Sequence, residues 1–190
     1  MPFMKNRDAH ILEAAVRLFL RFGVKRTSMN DIAEEAGLSR QTLYKAFANK
    51  DEVLQATIRS MADKVVVDIE AGLMKTTGLS AQLDVIFQHT VIEHYDVLQS
   101  SPNAEDIIAG VTASSQKELE AGAQRNTEII ARVLEPFSDD LRAADLSVDQ
   151  YADFIQRTAT AAKYTAKNRK HLVQLLDALR VSVLKVVEAN

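Results

Sequence analysis

Apolar residues recur every three or four positions along most of the chain, the spacing that places side chains on one face of an α-helix. In the first such segment they run from Ile11 to Phe22, and the pattern stops at Gly23, a residue type that commonly ends helices. Two shorter segments follow, preceded by Ser28 and Ser39, which are favoured helix N-caps. The pattern therefore predicts three short helices near the N-terminus.

The rest of the chain repeats this spacing in longer segments, with caps and helix-ending residues between them. Ser147 and Gln150 have the spacing of a capping box, which predicts a helix start. The preceding helical segment is expected to end at Pro136 and the polar residues 138–140. A short helix is expected to begin at Pro102, because proline is favoured at the first helical position. The longer predicted helices are 49–72, 80–98, 113–134, 148–165 and 168–188. We therefore expect an all-α fold of about nine helices.

The composition agrees with this fold and excludes several classes of site. Of 190 residues, 47% are apolar and 26% charged, while six Gly and three Pro are too few for the many turns of an all-β fold. The absence of Cys excludes disulfides and thiolate metal sites. Charged residues interrupt the apolar positions of 11–22, which argues against a signal peptide or a membrane span. The expectation is a soluble, cytoplasmic protein with no membrane partner.

The net charge of −3 is distributed unevenly. Residues 1–50 carry nine Lys and Arg against five Asp and Glu, a balance of +4, and residues 51–190 carry fourteen against twenty-one, a balance of −7. A basic segment before an acidic one predicts an anionic partner for the N-terminal part only. Accidental clustering of charge is the alternative.

The three short helices, with a glycine between the second and third, match a helix-turn-helix. If Leu43 faces the core, steps of about 100° per residue place Gln41 and Lys45 on the opposite side and Thr42 and Tyr44 on the flanks. Gln can pair with adenine and Lys with guanine, while flanking hydroxyls can hold phosphates. An ordinary amphipathic surface helix fits the same geometry, so that alternative stays open.

Four neighbouring positions also have chemistry suited to DNA. Arg40 lies in the first turn of the third helix, where recognition helices meet base edges, and Lys50 follows that helix. Ser28 and Ser39 cap the second and third helices and leave backbone amides near each N-terminus for phosphate oxygens. These positions fit contacts with double-stranded DNA, and the alternative of an ordinary surface helix stays open.

The segment from Thr27 to Leu54 resembles the DNA-binding signature of the TetR family of transcriptional regulators. The matching positions are Thr27, Asp31-Ile32-Ala33, Ala36-Gly37, Thr42-Leu43-Tyr44, Phe47 and Lys50. The resemblance implies a homeodomain-like DNA-binding domain at 1–50, followed by a helical ligand-binding and dimerisation domain at 51–190. It departs from the family at Ala46, where relatives often carry Tyr or His, which puts one DNA-backbone contact in doubt.

The resemblance also assigns roles to the DNA-binding residues. The implied phosphate contacts are Thr27, Thr42, Tyr44 and Lys50, and the implied base readers are Arg40, Gln41 and Lys45. A basic arm at Lys5 and Arg7 is a further candidate for the DNA backbone or minor groove.

Dimerisation and ligand binding are expected in the C-terminal part. A single helix-turn-helix contacts little DNA, so such proteins dimerise on palindromic half-sites, and the resemblance implies a homodimer through the last two helices. Packing of those helices within one subunit is the alternative. The candidate residues lining a pocket for a mainly apolar small molecule are Phe87, Val91, His94, Tyr95, Leu98, Ile108, Val111, Ile129, Phe154 and Thr158.

The sequence does not favour a metal site, a cofactor or an enzyme. His89 and Glu93 are four apart, but His94 is turned away from them and no zinc-peptidase spacing is matched. No nucleophile triad, phosphate loop or dinucleotide fingerprint occurs. The predicted function is a repressor that binds a palindromic operator as a dimer and is released by a small molecule. The alternative is a DNA-bound adaptor that recruits a protein partner without a small-molecule ligand.

Overall fold

All regular structure is helical in the computed structural model, which describes residues 6–101 and 112–188. The all-α prediction is confirmed for this part of the chain. Lys5, the helix expected at Pro102, and the pocket candidates Ile108 and Val111 lie outside the described residues.

The observed helices agree with the predicted ones within a few residues at most ends. In chain order they are α1 (Asn6–Phe22), α2 (Met29–Glu35), α3 (Arg40–Ala46), α4 (Lys50–Leu73), α5 (Leu79–Phe87), α6 (Glu93–Ser100), α7 (Ala113–Leu134), α8 (Ser138–Ala143), α9 (Val148–Thr165) and α10 (Arg169–Val187). A π-helical turn, Gln88–Ile92, joins α5 to α6, and a 3₁₀ turn, Glu135–Phe137, precedes α8.

One element differs from the expectation. The polar residues 138–140 were expected to interrupt helical structure, yet they form the first turn of α8. Pro136 lies in the preceding 3₁₀ turn, where its missing N–H leaves no interior helical bond unmade. Leu141 is fully buried, so α8 forms because it places this side chain in the core.

The described residues divide into two compact units. The N-terminal unit contains residues up to 63 together with 98–101 and 112–121, and the C-terminal unit contains 64–97 and 122–188. The functional division into 1–50 and 51–190 stays a prediction, because compactness alone does not assign a function to either part.

The core of the N-terminal unit is built from the apolar stripes of α1 to α4. Their facing side chains are nearly or completely excluded from solvent, which favours the folded state by roughly 1.5–3 kcal/mol for each large residue. This core contains Ile11, Leu12, Ala14, Ala15, Leu18, Phe19, Val24, Met29, Ile32, Ala33, Ala36, Leu43, Val53 and Leu54.

The C-terminal unit has a separate and larger core. The buried stripe of α10 comprises Leu172, Leu176, Leu179, Val183 and Val187, spaced three or four residues apart. Side chains from 69–95, 129–141 and 151–162 complete the cluster.

Two further contacts fix helices within the C-terminal unit. At Gly72, a Cβ atom would lie 2.6 Å from Cγ1 of Val85, so glycine permits the close approach of α4 and α5. Arg180 of α10 pairs with Asp84 of α5 at 3.1 Å and also with Asp177. None of the helices in the described ranges is both long and apolar enough to cross a bilayer.

Candidate nucleic-acid interface

The turn between α1 and α2 is stabilised by hydrogen bonds to its own backbone. Gly23 has φ +82°, a conformation that favours glycine, and its N–H donates to the carbonyl of Phe19 at 2.9 Å. The Thr27 hydroxyl donates to the Gly23 carbonyl at 2.8 Å, and Thr27 is only 3% exposed. The predicted end of α1 at Gly23 is therefore confirmed, and the Thr27 hydroxyl has a partner inside the turn.

The start of α2 is a capping box, with the predicted N-cap Ser28. The Ser28 hydroxyl accepts from the Asp31 N–H at 3.2 Å, and the Ser28 N–H donates to the Asp31 carboxylate at 2.7 Å. The Ser28 hydroxyl also donates to that carboxylate at 2.8 Å. These bonds from the Ser28 backbone and hydroxyl hold the pKa of Asp31 below its ordinary value.

The turn between α2 and α3 depends on a glycine with positive φ. Gly37 has φ +63°, its N–H donates to the Glu34 carbonyl at 3.0 Å, and the Leu38 N–H donates to the Ala33 carbonyl at 2.8 Å. This pair of bonds is a Schellman motif, which ends α2 and reverses the chain. Leu38 packs against the core of the N-terminal unit, so the entry into α3 is also fixed by burial.

Helix α3 has the predicted orientation. The Ser39 hydroxyl accepts from the Thr42 N–H at 3.1 Å and lies 2.8 Å from the Thr42 hydroxyl. Leu43 is completely buried, whereas Tyr44 is 51% exposed. The long polar side chains predicted to read bases are also exposed; they are Arg40, Gln41 and Lys45. The third helix therefore presents a polar ridge to the surface of its unit.

Lys50 is held inside the N-terminal unit. Its ammonium group donates to the carbonyls of Val24 at 2.7 Å, Thr27 at 2.8 Å and Lys25 at 3.2 Å. These three bonds match the three N–H donors of a lysine ammonium group. Lys50 therefore anchors the α1–α2 turn to the start of α4, and its phosphate contact stays a prediction.

Arg7, one of the two residues of the predicted basic arm, lies in α1 and pairs with Asp8 at 3.3 Å, and a DNA contact of the arm stays a prediction. Arg17 of α1 pairs with Glu35 of α2 at 2.7 Å, which braces the two helices in front of α3. The pairing of Arg17 could not be identified from the sequence, since its partner is eighteen positions away.

The pocket candidates are not gathered in one place. Phe87, Val91, Tyr95 and Ile129 are buried in the core of the C-terminal unit, and Thr158 is half-buried there. Leu98 belongs to the N-terminal unit.

Phe154 lies on the outer face of α9. It is 52% exposed, and its ring stacks on Tyr151 with centroids 5.9 Å apart. Periodicity could identify an apolar position here but could not tell an inner from an outer face. Lining of an internal pocket by Phe154 is therefore the least supported of the pocket predictions.

His94 is the half-buried histidine among these candidates. Its Nδ1 lies 3.1 Å from the His89 carbonyl and must carry the proton, because a carbonyl can only accept. Burial lowers the pKa of His94, and the nearby charge of Lys163 lowers it further. His89 pairs with Glu93 at 3.1 Å. Within the described ranges, no group of three or more potential ligands is placed to hold a metal ion.

Capped short helices, a Schellman turn and an outward polar ridge on the third helix together form a helix-turn-helix motif. A family model described as bacterial regulatory proteins of the tetR family matches residues 11–57. This match shows that the helix-turn-helix segment of the chain is similar to the DNA-binding part of those regulators. The resemblance found in the sequence is confirmed.

Two relatives extend the similarity beyond the helix-turn-helix. The uncharacterized HTH-type transcriptional regulator YuxN of Bacillus subtilis (strain 168) is 26% identical over 148 residues, covering 73% of this chain and 50% of the relative. The nicotine-responsive transcriptional repressor HdnoR of Paenarthrobacter nicotinovorans is 25% identical over 143 residues, covering 66% and 74% respectively. The match thus spans half the length of YuxN.

The fold is shared with solved structures. A transcriptional regulator from Rhodococcus sp. Rha1 superimposes with a TM-score of 0.73 at 14% identity, covering 94% of this chain and 96% of that one. At this identity the likeness concerns the fold alone.

Proposed function

We propose that this regulator represses transcription by binding a palindromic operator as a homodimer and leaves it when a small, mainly apolar molecule binds. The observation that carries the proposal is the geometry of α3. Leu43 is completely buried, while Arg40, Gln41 and Lys45 are exposed along the same helix. An exposed ridge of long polar side chains on a buried apolar anchor is what major-groove reading requires.

The proposed DNA contacts divide by chemistry. Gln41 can bond bidentately to adenine, and Arg40 and Lys45 can bond to guanine. Thr42 and Tyr44 lie beside this ridge, and their hydroxyls suit phosphate oxygens. Ser28 and Ser39 contribute through the helix N-termini that they cap.

The proposed dimer uses the outer faces of α9 and α10. On α9, Phe154, Ala161 and Thr165 are exposed along one stripe, opposite the buried face of the helix. On α10, Val173 and Val181 are 40% and 43% exposed. Apolar side chains on the outer side of two adjacent helices support a four-helix contact with a second copy. A two-fold dimer would place two recognition helices on half-sites roughly 34–36 Å apart.

The proposed effector site lies in the C-terminal unit. Phe87, Val91, Tyr95 and Ile129 supply an apolar lining, and His94 supplies a neutral polar group. The name of HdnoR, a nicotine-responsive repressor, supports a small-molecule effector for this chain. Effector binding would release DNA by favouring a different separation of the two recognition helices.

The experiment that tests operator binding is selection of sites from a random DNA pool, followed by titration of the selected site at two salt concentrations. We expect an inverted repeat, whose binding is lost on replacing Gln41, Tyr44 and Lys45 with Ala. The matched control is Lys75→Ala, an exposed lysine beyond the end of α4. Weak, salt-sensitive binding without sequence enrichment would contradict the proposal.

The dimer is tested separately by sedimentation of charged variants. Phe154→Arg and Val181→Arg should yield monomers, and Val67→Arg, at a valine that is 65% exposed on α4, should not. A dimer that survives both changes would contradict this interface.

The effector is tested by a small-molecule screen on the protein bound to its selected operator. If an operator is enriched but the screen finds no effector, the adaptor alternative is favoured.

A further inference from the structure

Two polar stripes face each other within the N-terminal unit. The α4 stripe consists of Asp51, Gln55 and Arg59, four residues apart. The α7 stripe consists of Ser115 and Glu118 of α7 together with Thr112, which immediately precedes that helix; these residues are three apart. Each spacing places its residues along one side of a helix. The two stripes are about sixty residues apart in sequence, so tertiary structure alone brings them together.

The first contact joins the start of both helices. The Thr112 hydroxyl donates to Asp51 Oδ1 at 2.6 Å, and the Gln55 amide donates to Asp51 Oδ2 at 2.8 Å. Both oxygens of this carboxylate therefore accept a hydrogen bond. Asp51 is thereby tied to α7 and to its own helix at once.

The second contact is a two-pronged ion pair. Arg59 Nε lies 3.1 Å from Glu118 Oε2, and Arg59 Nη2 lies 2.5 Å from Glu118 Oε1. The Glu118 side chain is 20% exposed and the Arg59 side chain 57% exposed. Paired N–H donors on a carboxylate define the relative direction of the two side chains as well as their distance.

The α7 stripe is held in place by its own cap. The Thr112 N–H donates to the Ser115 hydroxyl at 2.7 Å, and the Ser115 N–H donates to the Thr112 hydroxyl at 3.2 Å. Ser115 is completely buried. The α7 stripe therefore presents a preorganised donor and a preorganised carboxylate to α4.

The α4 stripe begins next to the recognition helix. Helix α3 ends at Ala46, and α4 begins at Lys50 after a connection of three residues. Asn49 caps α4 by accepting from the Glu52 N–H at 3.0 Å. Because the connection is so short, a displacement of the first turn of α4 would also move the end of α3.

We propose that the contact between the α4 and α7 stripes positions the recognition helix for operator binding without touching DNA. It rests on the operator binding proposed above and adds the residues that regulate it. The contact is polar and partly exposed, so it forms and breaks at a small free-energy cost, unlike the apolar core beside it. Asp51, Arg59, Thr112 and Glu118 are therefore positioning residues for DNA recognition.

A double-mutant cycle on the ion pair tests the inference. Glu118→Gln and Arg59→Gln should each weaken operator binding roughly two- to tenfold, and the double variant should be no weaker than the worse single variant. The swapped pair, Arg59→Glu with Glu118→Arg, should recover part of the affinity. The matched control is Arg142→Gln, which breaks an exposed 2.7 Å pair with Asp139 in the C-terminal unit and should leave operator affinity unchanged.

Two readouts separate positioning from a merely structural role. Affinity for nonspecific DNA and the Tm should stay near wild type in the ion-pair variants, because the apolar core is untouched. Amide hydrogen exchange in α3 and the first turn of α4 should become faster in Glu118→Gln and not in Arg142→Gln. Unchanged operator affinity and unchanged exchange would overturn the inference, as would additive losses in the cycle or a loss explained by a lower Tm.

The two proposals fail in different ways. A wild-type protein that selects no operator overturns the proposed function, and the exchange experiment still decides whether the stripes position α3. A Glu118→Gln variant with wild-type operator affinity and unchanged hydrogen exchange in α3 overturns only the positioning role.

Discussion

Replacing Lys50 with Met removes one ammonium group and keeps the length of its side chain. In the wild type this group donates to the carbonyls of Val24, Lys25 and Thr27, which form the turn between α1 and α2. The methionine retains most of the packing of the half-buried stem but leaves three carbonyls without this donor. We therefore expect a loss of stability in the N-terminal unit.

The size of the loss follows from opposing terms. A hydrogen bond to a charged group contributes about 1.5–3 kcal/mol, and two of the three bonds are short and partly buried. In the variant, water can hydrogen-bond to the exposed carbonyl of Lys25, and the side chain at position 50 regains conformational entropy. Both effects offset part of the summed hydrogen-bond contributions. A net decrease of about 2 kcal/mol in the free energy of unfolding is expected, which lowers Tm by roughly 10 °C in a unit of this size.

Urea unfolding followed by circular dichroism measures this decrease, with Lys45→Met as the matched control. Lys45 is exposed on α3, so its replacement should change stability by less than about 0.5 kcal/mol and weaken operator binding instead. Below its own transition, Lys50→Met should retain the wild-type salt dependence of DNA binding. Wild-type stability combined with a salt slope reduced by about one would refute this reasoning and establish Lys50 as a phosphate contact.

Three other substitutions test separate features. Gly72→Ala brings a Cβ to 2.6 Å from Cγ1 of Val85, and the higher helix propensity of Ala offsets part of the steric cost. The free energy of unfolding, measured in urea, should therefore fall by about 1 kcal/mol. A double-mutant cycle with Val85→Ala should show coupling of similar size, whereas additive effects would exclude the clash. The Ser28 backbone and hydroxyl lower the pKa of Asp31, so this stabilisation is present above the unfolded pKa and is lost as pH falls through the folded one. Asp31→Asn should remove that part of the acid dependence of Tm, and an unchanged profile would count against the capping box. Burial lowers the pKa of His94 from 6.5, so the folded state binds its proton less readily and stability falls as pH drops below the unfolded value. His94→Gln should flatten that part of the Tm profile, and a variant with the wild-type slope would contradict the burial argument.

The helix-turn-helix could be predicted from the sequence because its determinants are local. The caps at Ser28 and Ser39 act on amides three residues away, and the positive φ of Gly37 is a property of one residue. The burial of Leu43 then fixes the opposite side of a seven-residue helix. The caps and the glycine turn are complete within one turn of the chain, whereas the burial of Leu43 had to be assumed from the apolar spacing.

The partners of charged side chains could not be predicted in the same way. The carbonyl partners of Lys50 lie 23–26 positions away, and Arg59 meets Glu118 across 59 positions. From the sequence, Lys50 could be recognised only as a cation, and a lysine ammonium group can bond to a phosphate oxygen as well as to a carbonyl oxygen. Which of these a lysine meets depends on the path of the turn in front of it, and that path is set by packing.

The outer face of α9 shows a different limit of periodicity. Phe154 belongs to an apolar-rich helix in which Ala152, Ile155 and Ala159 face the core. With apolar residues on more than one side, the spacing identifies a helix but leaves its rotation undetermined. Only the neighbouring elements decide that Phe154 points outward, and this orientation moves the residue from the proposed pocket to the proposed dimer surface.

Three consecutive residues at the start of α4 each bond to a different part of the N-terminal unit. Asn49 caps its own helix, Lys50 binds the turn before α2, and Asp51 accepts from Thr112 at the start of α7. Because these bonds share one helical turn, displacing that turn strains all three together, and their contributions to DNA affinity should not be additive. A position held by three separate partners is well defined when all are present and sensitive to the loss of any one. A recognition helix three residues away therefore needs no contact of its own with α7 to be regulated by it.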